Sequence, residues 1–167
     1  MTTTQEQRFL TFSLGVEEYA IPLLSVREVI AVPEITPMPF TPTYFLGLMN
    51  LRGQVISVID LRQKLGVKAQ TSSENAVIIC ELNAGHLGIL IDSVNAVITP
   101  SSESISAPPE IQGSLNLECV AGVFRNQEKL QEKLILIIDI EKTLSGDDRK
   151  AMNKNVAGPK QSQPKVA

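Results

Sequence analysis

Leu48-Met49-Asn50-Leu51-Arg52-Gly53-Gln54-Val55-Ile56-Ser57-Val58-Ile59-Asp60-Leu61-Arg62 carries the clearest signal of how this chain folds. A short polar turn, Asn50 to Gln54, interrupts an apolar run. Val55, Ile56, Val58 and Ile59 then read as a strand buried on both faces. Arg52 stands in the turn, between two stretches of core.

A second segment repeats the pattern. Phe9 to Ile30 aligns without a gap on Val77 to Ile98, so that Leu14 meets Leu82, Ile21 meets Ile89, Ser25 meets Ser93, Val26 meets Val94 and Ile30 meets Ile98. Each copy reads as strand, polar turn, strand. The turns Gly15-Val16-Glu17-Glu18 and Asn83-Ala84-Gly85-His86 suit hairpins. Further on, Val58-Ile59-Asp60-Leu61 followed by Leu65 matches Ile137-Ile138-Asp139-Ile140 followed by Leu144, and Gly47 and Gly122 hold similar places upstream. The chain therefore reads as two diverged copies of one β unit, residues 7–69 and 75–145, each with about five short strands. A unit of that size has a marginal core of its own, so the copies are expected to share one.

Composition supports this reading. Of 167 residues, 43% are hydrophobic and only 4% aromatic, so the core is built from Val, Ile and Leu, which favour strands. The net charge of −3 gives no electrostatic footprint for nucleic acid. Basic and aromatic residues are not interleaved on the strands, as single-strand binding would need. No apolar run is long enough to span a bilayer, and Met1 to Arg8 is polar, so a soluble cytoplasmic protein is expected. Cys80 and Cys119 sit far apart in apolar surroundings and read as free buried thiols.

Between the strands, Val26 to Val32 reads either as a short helical turn or as an irregular strand. Pro33, Pro37, Pro39 and Pro42 make the next segment an extended connector, matched by Thr99 to Gly113 in the second copy. Leu61 to Leu65 and Ile140 to Leu144 read as short helical turns. Lys68 to Asn75 is a polar link and Gln127 to Lys133 a charged hairpin tip. Residues 155–167 read as a disordered tail, whose deletion should leave the melting temperature nearly unchanged.

The sequence holds no nucleophile elbow, phosphate loop, dinucleotide fingerprint or metal-ligand spacing, so neither metal nor cofactor is expected. The lone histidine, His86, reads as a solvated turn residue. Asp60 and Asp139 are the matched carboxylates. An enzyme or small-ligand barrel would use them as an acid–base pair, but each stands where a strand meets a helical turn, which suits an N-cap. Glu28 and Arg52 are charges flanked by core residues. Either each points outward at an element end, or they pair across the junction of the two units.

Taken in order, Tyr19-Ala20-Ile21-Pro22-Leu23, Val26-Arg27-Glu28-Val29-Ile30, Ile35-Thr36-Pro37-Met38-Pro39, Gly47-Leu48-Met49-Asn50-Leu51-Arg52-Gly53, Val58-Ile59-Asp60-Leu61-Arg62 and Leu87-Gly88-Ile89-Leu90-Ile91-Asp92-Ser93-Val94 resemble the CheW family of bacterial chemotaxis coupling proteins. The likeness covers residues 7–145, and the Asn-Leu-Arg-Gly turn is its most specific piece. It implies an all-β fold of two packed, five-stranded SH3-like β-barrels with few short helices, a fold that allows strands to pass between barrels. It also implies a non-enzymatic scaffold, monomeric when isolated. Such a scaffold joins the cytoplasmic tip of methyl-accepting receptors to the regulatory domain of the histidine kinase CheA, in arrays under the inner membrane. An equivalent adaptor in a twitching or other chemosensory pathway is the alternative. Carried over by position, Val26, Glu28, Arg52, Val55 and Ile56 fall on the receptor-binding groove. Asn75, Ala76 and Val94 fall near the kinase face, and Ser106, Glu110 and Ile111 near a weaker ring-closing contact. Two positions depart from the family: Ser57 stands where proline is common, and Ser106 and Ile111 where longer polar or aromatic residues are common.

Overall fold

The computed structural model describes residues 6–68, 74–108, 119–126, 132–144, 146 and 148–150. The first hairpin joins β1 (Phe9–Leu14) to β2 (Glu17–Pro22) through Gly15 and Val16, with Gly15 in the left-handed region that a tight turn demands. The corresponding hairpin joins β6 (Ala76–Leu82) to β7 (Gly85–Ile91) through Asn83 and Ala84. Both hairpins lie where the repeat places them. His86 differs from its reading: it is the second residue of β7, not part of the turn.

The segment after each hairpin is a strand. β3 (Val26–Ala31) settles the open reading of Val26 to Val32, and its register slips between Val26 and Glu28, making Arg27 the extra residue of a bulge. Its counterpart is β8 (Ser93–Ile98). Next come β4 (Phe45–Leu51), β5 (Gln54–Asp60) and α1 (Leu61–Leu65) in the first copy. In the second copy follow β9 (Ile105–Ser106), β10 (Val120–Asn126), β11 (Lys133–Ile138) and α2 (Ile140–Thr143). Asp60 caps α1 by accepting from the Arg62 N–H, and Asp139 caps α2 by accepting from the Lys142 N–H. The cap reading of both carboxylates therefore stands.

Among the described residues the strands form two sheets, ordered β8-β1-β2-β11-β10-β9 and β3-β6-β7-β5-β4. The wiring is the same in both. The first hairpin of one copy sits between the third strand and the last-then-penultimate strands of the other copy, with a parallel pair at β2 and β11 in one sheet and β7 and β5 in the other; the six-stranded sheet adds β9 at its edge. Each sheet thus draws strands from both copies. The matched glycines sit at matched irregularities: β4 shifts register at Gly47 and β10 at Gly122. At Gly47 the reason for glycine is direct, because a Cβ would lie 2.0 Å from the Thr36 carbonyl oxygen of the connector that bridges to Leu48.

Three apolar clusters follow from the period of the strands. The largest takes Phe12, Leu14 and Ile21 from one sheet and Ile59, Ile78, Leu87, Ile89 and Ile91 from the other, so it lies between the sheets and is the shared core. The opposite face of the five-stranded sheet gathers Met49, Ile56, Val58, Val77, Ile79 and Leu90. That of the six-stranded sheet gathers Phe9, Ala20, Ile135 and Ile137. Neither cysteine is in a disulfide; Cys80 is buried as expected, Cys119 only half-buried, and burial pushes the Cys80 thiol up to about 12, far from thiolate chemistry at neutral pH.

One polar atom in the five-stranded sheet is left without a partner, the buried Ser57 Oγ. An unmet buried hydroxyl costs about 1–3 kcal/mol. Ser57→Ala is therefore expected to raise stability by about 1 kcal/mol in urea unfolding. A loss of that size instead would show that the hydroxyl has a partner.

Past α2 the chain turns back on the first copy. Asp148 accepts from the Tyr44 hydroxyl and from Lys64 Nζ at 2.7 Å, while Lys64 Nζ also lies 4.1 Å from the centre of the Tyr44 ring. Burial works against the Lys64 charge, but the Asp148 and Tyr44 contacts outweigh it and raise the ammonium above its ordinary value. Asp148→Ala should cost about 1–3 kcal/mol, because it strands a largely buried ammonium; an unchanged urea midpoint would show that this clasp does not hold the chain end. Residues 155–167 lie outside the described residues.

Candidate functional site

Arg52 and Gly53 form the turn between β4 and β5, with Leu51 paired to Gln54. Both have positive φ, 49° at Arg52 and 86° at Gly53. Such a turn matches the twist of the strands but favours Asn or Gly at its first position. Asn50 supports it from below, its Oδ1 accepting from the Gly53 N–H at 2.8 Å. Arginine at a left-handed position carries backbone strain, so the side chain has a reason for being there beyond the turn. Arg52 Nη2 donates to Glu28 Oε1, joining the hairpin end to the bulged β3. Of the two readings open for these charges, pairing is the one observed, but both residues belong to the first copy and to the same sheet, so the contact does not cross between the two units. The Arg52 side chain is 68% exposed even so, which leaves most of the guanidinium free to meet a partner.

Apolar surface adjoins this pair. Val55 follows the turn and is 45% exposed, because β7 pairs with β5 only from Ser57 onward and leaves the start of β5 uncovered. The strand is therefore not buried on both faces along its whole length. Val26, half-buried, packs against the shared core at the start of β3. Ile56 lies elsewhere: at 1% exposure it faces Met49 and Val58 inside the sheet and supports this surface from beneath.

His86 joins the same end of the sheet. Arg27 Nη1 lies 2.8 Å from His86 Nε2, and the Gln54 carboxamide lies 2.7 Å from His86 Nδ1. The histidine is thus a bridge from β3 to the start of β5. Sequence reading missed it because the bulge that aims Arg27 is not visible in a pattern of apolar residues.

Behind the site, Arg62 ties the sheets together. Its guanidinium grips Asp60 with Nε to Oδ1 at 3.0 Å and Nη2 to Oδ2 at 3.1 Å, and Nη1 donates to Asp92 Oδ1 at 2.6 Å. Asp92 Oδ2 in turn accepts from the Gly15 N–H of the first hairpin at 2.5 Å. All three side chains are nearly buried. Burial alone would raise the Asp60 carboxyl; hydrogen bonds from Arg62 and Gln63, with the charge of Arg62, reverse this and hold it below the usual carboxylate range.

The remaining candidates lie on other surfaces. Asn75 precedes β6 and Ala76 opens it, paired with Ile91 at the end of β7, while Val94 lies on β8 in the other sheet, paired with Phe12. Val94 is exposed and Asn75 and Ala76 are half-buried. Ser106 is exposed on β9, paired with Val123. Glu110 and Ile111 lie outside the described residues. Among the described residues, no group of three or more His, Cys, Asp or Glu is placed to hold a metal ion, and no helix is long and apolar enough to cross a membrane.

Comparison with known proteins agrees with this architecture. Residues 8–148 match the CheW-like domain family. The chain is 37% identical to Chemotaxis protein CheW of Klebsiella aerogenes over 92% of its own length and 90% of that protein. It is 30% identical to Probable chemotaxis protein CheW of Rhizobium etli, over 87% and 92%. Its structure is similar to the crystal structure of the scaffolding protein TtCheW from Thermoanaerobacter tengcongensis, with a TM-score of 0.76, 30% identity and coverage of 86% of this chain and 96% of that one. With both sheets, the shared core and the arginine turn in place, this chain belongs to the CheW-like family of non-catalytic chemotaxis adaptors.

Proposed function

We propose that this protein couples methyl-accepting chemoreceptors to the histidine kinase CheA, binding the receptor's helical tip at the Arg52 turn and the kinase regulatory domain at a separate face. The observation that carries the proposal is the strained, mostly exposed Arg52, held by Glu28 beside the uncovered start of β5. A helix laid there meets Val26 and Val55 as apolar anchors and the guanidinium as a polar one, the division of labour expected of helix-in-groove recognition. Ile56 keeps the floor of that surface rigid.

Asn75, Ala76 and Val94 form the proposed kinase face. Exposed Val94 supplies the apolar contact, and its place on the other sheet lets both partners bind at once. Ser106, with Glu110 and Ile111, belongs to a third, ring-closing contact of lesser weight. Residues 7–145 act as one domain in this reading, with each sheet, built from strands of both copies, closing an SH3-like barrel around one of the two smaller clusters. The protein is soluble and monomeric when alone and is recruited to membrane-associated arrays through the receptor.

The test is binding of the full chain to a receptor signalling-tip fragment and to the CheA regulatory domain, singly and in competition. Independent, non-competing binding to both is expected. Mutual exclusion would overturn the two-face arrangement.

A further inference from the structure

Two non-glycine residues among those described hold a positive φ, Arg52 in its turn and Phe40, at 59°, in the connector between β3 and β4. Bulky side chains rarely adopt that region, because Cβ crowds the following carbonyl oxygen. Phe40 gains nothing from the fold in return, for its side chain is fully exposed. The connector nonetheless holds it in one place. Thr36 exchanges backbone hydrogen bonds of 2.8 and 2.9 Å with Leu48, the Thr41 hydroxyl donates to the Met38 carbonyl oxygen at 3.0 Å, and the Phe45 N–H donates to that of Pro42, also at 3.0 Å. Pro37, Pro39 and Pro42 fix φ at three further positions. A strained, firmly held aromatic ring that adds no burial to the fold is pre-organised for a partner. We propose that Phe40 is the aromatic anchor of the face that binds the kinase regulatory domain, seated in an apolar pocket of that domain.

Topology assigns Phe40 to that face. The antiparallel bridge at Thr36 and Leu48 carries the residues that follow toward Phe45, the start of β4, and so away from the Arg52 turn at its other end. The same end of the sheet holds Ala76, the first residue of β6, paired with Ile91 at the end of β7 and with Ala31 at the end of β3. The connector departs from Ala31, and its first residue, Val32, is exposed as well. Asn75, Ala76, Val32 and Phe40 thus share the end of the sheet remote from the receptor turn. Aromatic residues and arginine dominate binding energy at interfaces, and Asn75, Ala76 and Val94 include neither; Phe40 supplies the aromatic. Glu34 is the only charged residue between Val32 and Tyr44, so the contact is apolar. The second copy repeats the placement. Ser106 approaches Gly122 as Thr36 approaches Gly47, and Glu110 of the proposed ring-closing contact stands four residues beyond Ser106, as Phe40 does beyond Thr36. The inference rests on the proposed kinase role of this end of the sheet.

Phe40→Asn separates the anchor from the fold, because asparagine suits the positive φ and no buried contact is lost. Its urea midpoint should equal or exceed that of wild type; a lower midpoint would show that the fold itself uses the ring and would overturn the proposal. In calorimetric titration of the full chain with the CheA regulatory domain, Phe40→Asn should bind about tenfold or more weakly, and Phe40→Tyr like wild type. Binding of Phe40→Asn to a receptor-tip fragment should be unchanged. Val94→Glu tests the kinase face without touching the connector. If Val94→Glu weakens kinase binding and Phe40→Asn does not, the anchor is overturned and the kinase face stands. If the wild-type protein does not bind the regulatory domain, both fall. Loss of receptor-tip binding in Phe40→Asn, or a wild-type dimer in sedimentation that Phe40→Asn abolishes, would assign the ring to a different partner and overturn the proposal.

Discussion

Arg62→Ala is expected to destabilise the protein by about 3–5 kcal/mol, the cost of leaving a buried charge unpaired. Removing the guanidinium takes the counter-charge from Asp60 and Asp92 in the junction between the sheets, where each is nearly inaccessible. It also loosens the hold on the first hairpin, because Asp92 is the acceptor for the Gly15 N–H. The penalty belongs to the broken pair more than to the pair itself, so Arg62→Met combined with Asp60→Asn and Asp92→Asn should recover most of the loss. A drop below about 1 kcal/mol for Arg62→Ala in urea unfolding would place this network among weak surface pairs.

The same network predicts a pH signature. Asp60 is held below the usual range in the folded protein, so its contribution is present above the unfolded carboxyl value of about 3.9 and is lost as pH falls through the folded one. Stability of the wild-type protein should therefore fall steeply below about pH 4. Asp60→Asn, less stable at neutral pH, should show a shallower fall there.

The second large effect concerns binding, with stability as its control. Arg52→Asn replaces a strained residue by one that the left-handed turn position favours. Its exposed pair with Glu28 is worth only about 0–1 kcal/mol to the fold. Arg52→Asn should accordingly be as stable as wild type, or more so by about 1 kcal/mol. Its receptor affinity should nonetheless fall about tenfold or more, as for an anchor arginine at an interface centre. Reversing both charges, Glu28→Arg with Arg52→Glu, should bind better than the sum of the single reversals predicts, and strict additivity would show that the pair does not act as a unit. A folded Arg52→Asn protein with unchanged affinity would remove this turn from the receptor surface.

What was legible in the sequence was local. The turn at Arg52 and Gly53, the hairpins at Gly15 and Asn83 and the caps at Asp60 and Asp139 all rest on residues within four positions of one another. The small size of each repeat pointed to a shared core, though it could not say that each hairpin is housed among the other copy's strands. That exchange depends on which strands meet across the chain. The Arg62–Asp92 contact spans 30 residues and the Arg27–His86 contact 59, and no spacing rule reaches so far. Val55 and Ile56 show the same limit at one strand. Both are apolar neighbours in a buried run, yet the late start of β7 exposes one, and the pleat turns the other inward.

The most direct test of the coupling role is CheA autophosphorylation in receptor-containing membranes, followed as this protein is titrated in. Kinase activity is expected to come under attractant control only when the protein is present, and Arg52→Asn is expected not to establish that control. Equal attractant control without the protein, or full control with Arg52→Asn, would contradict the coupling role.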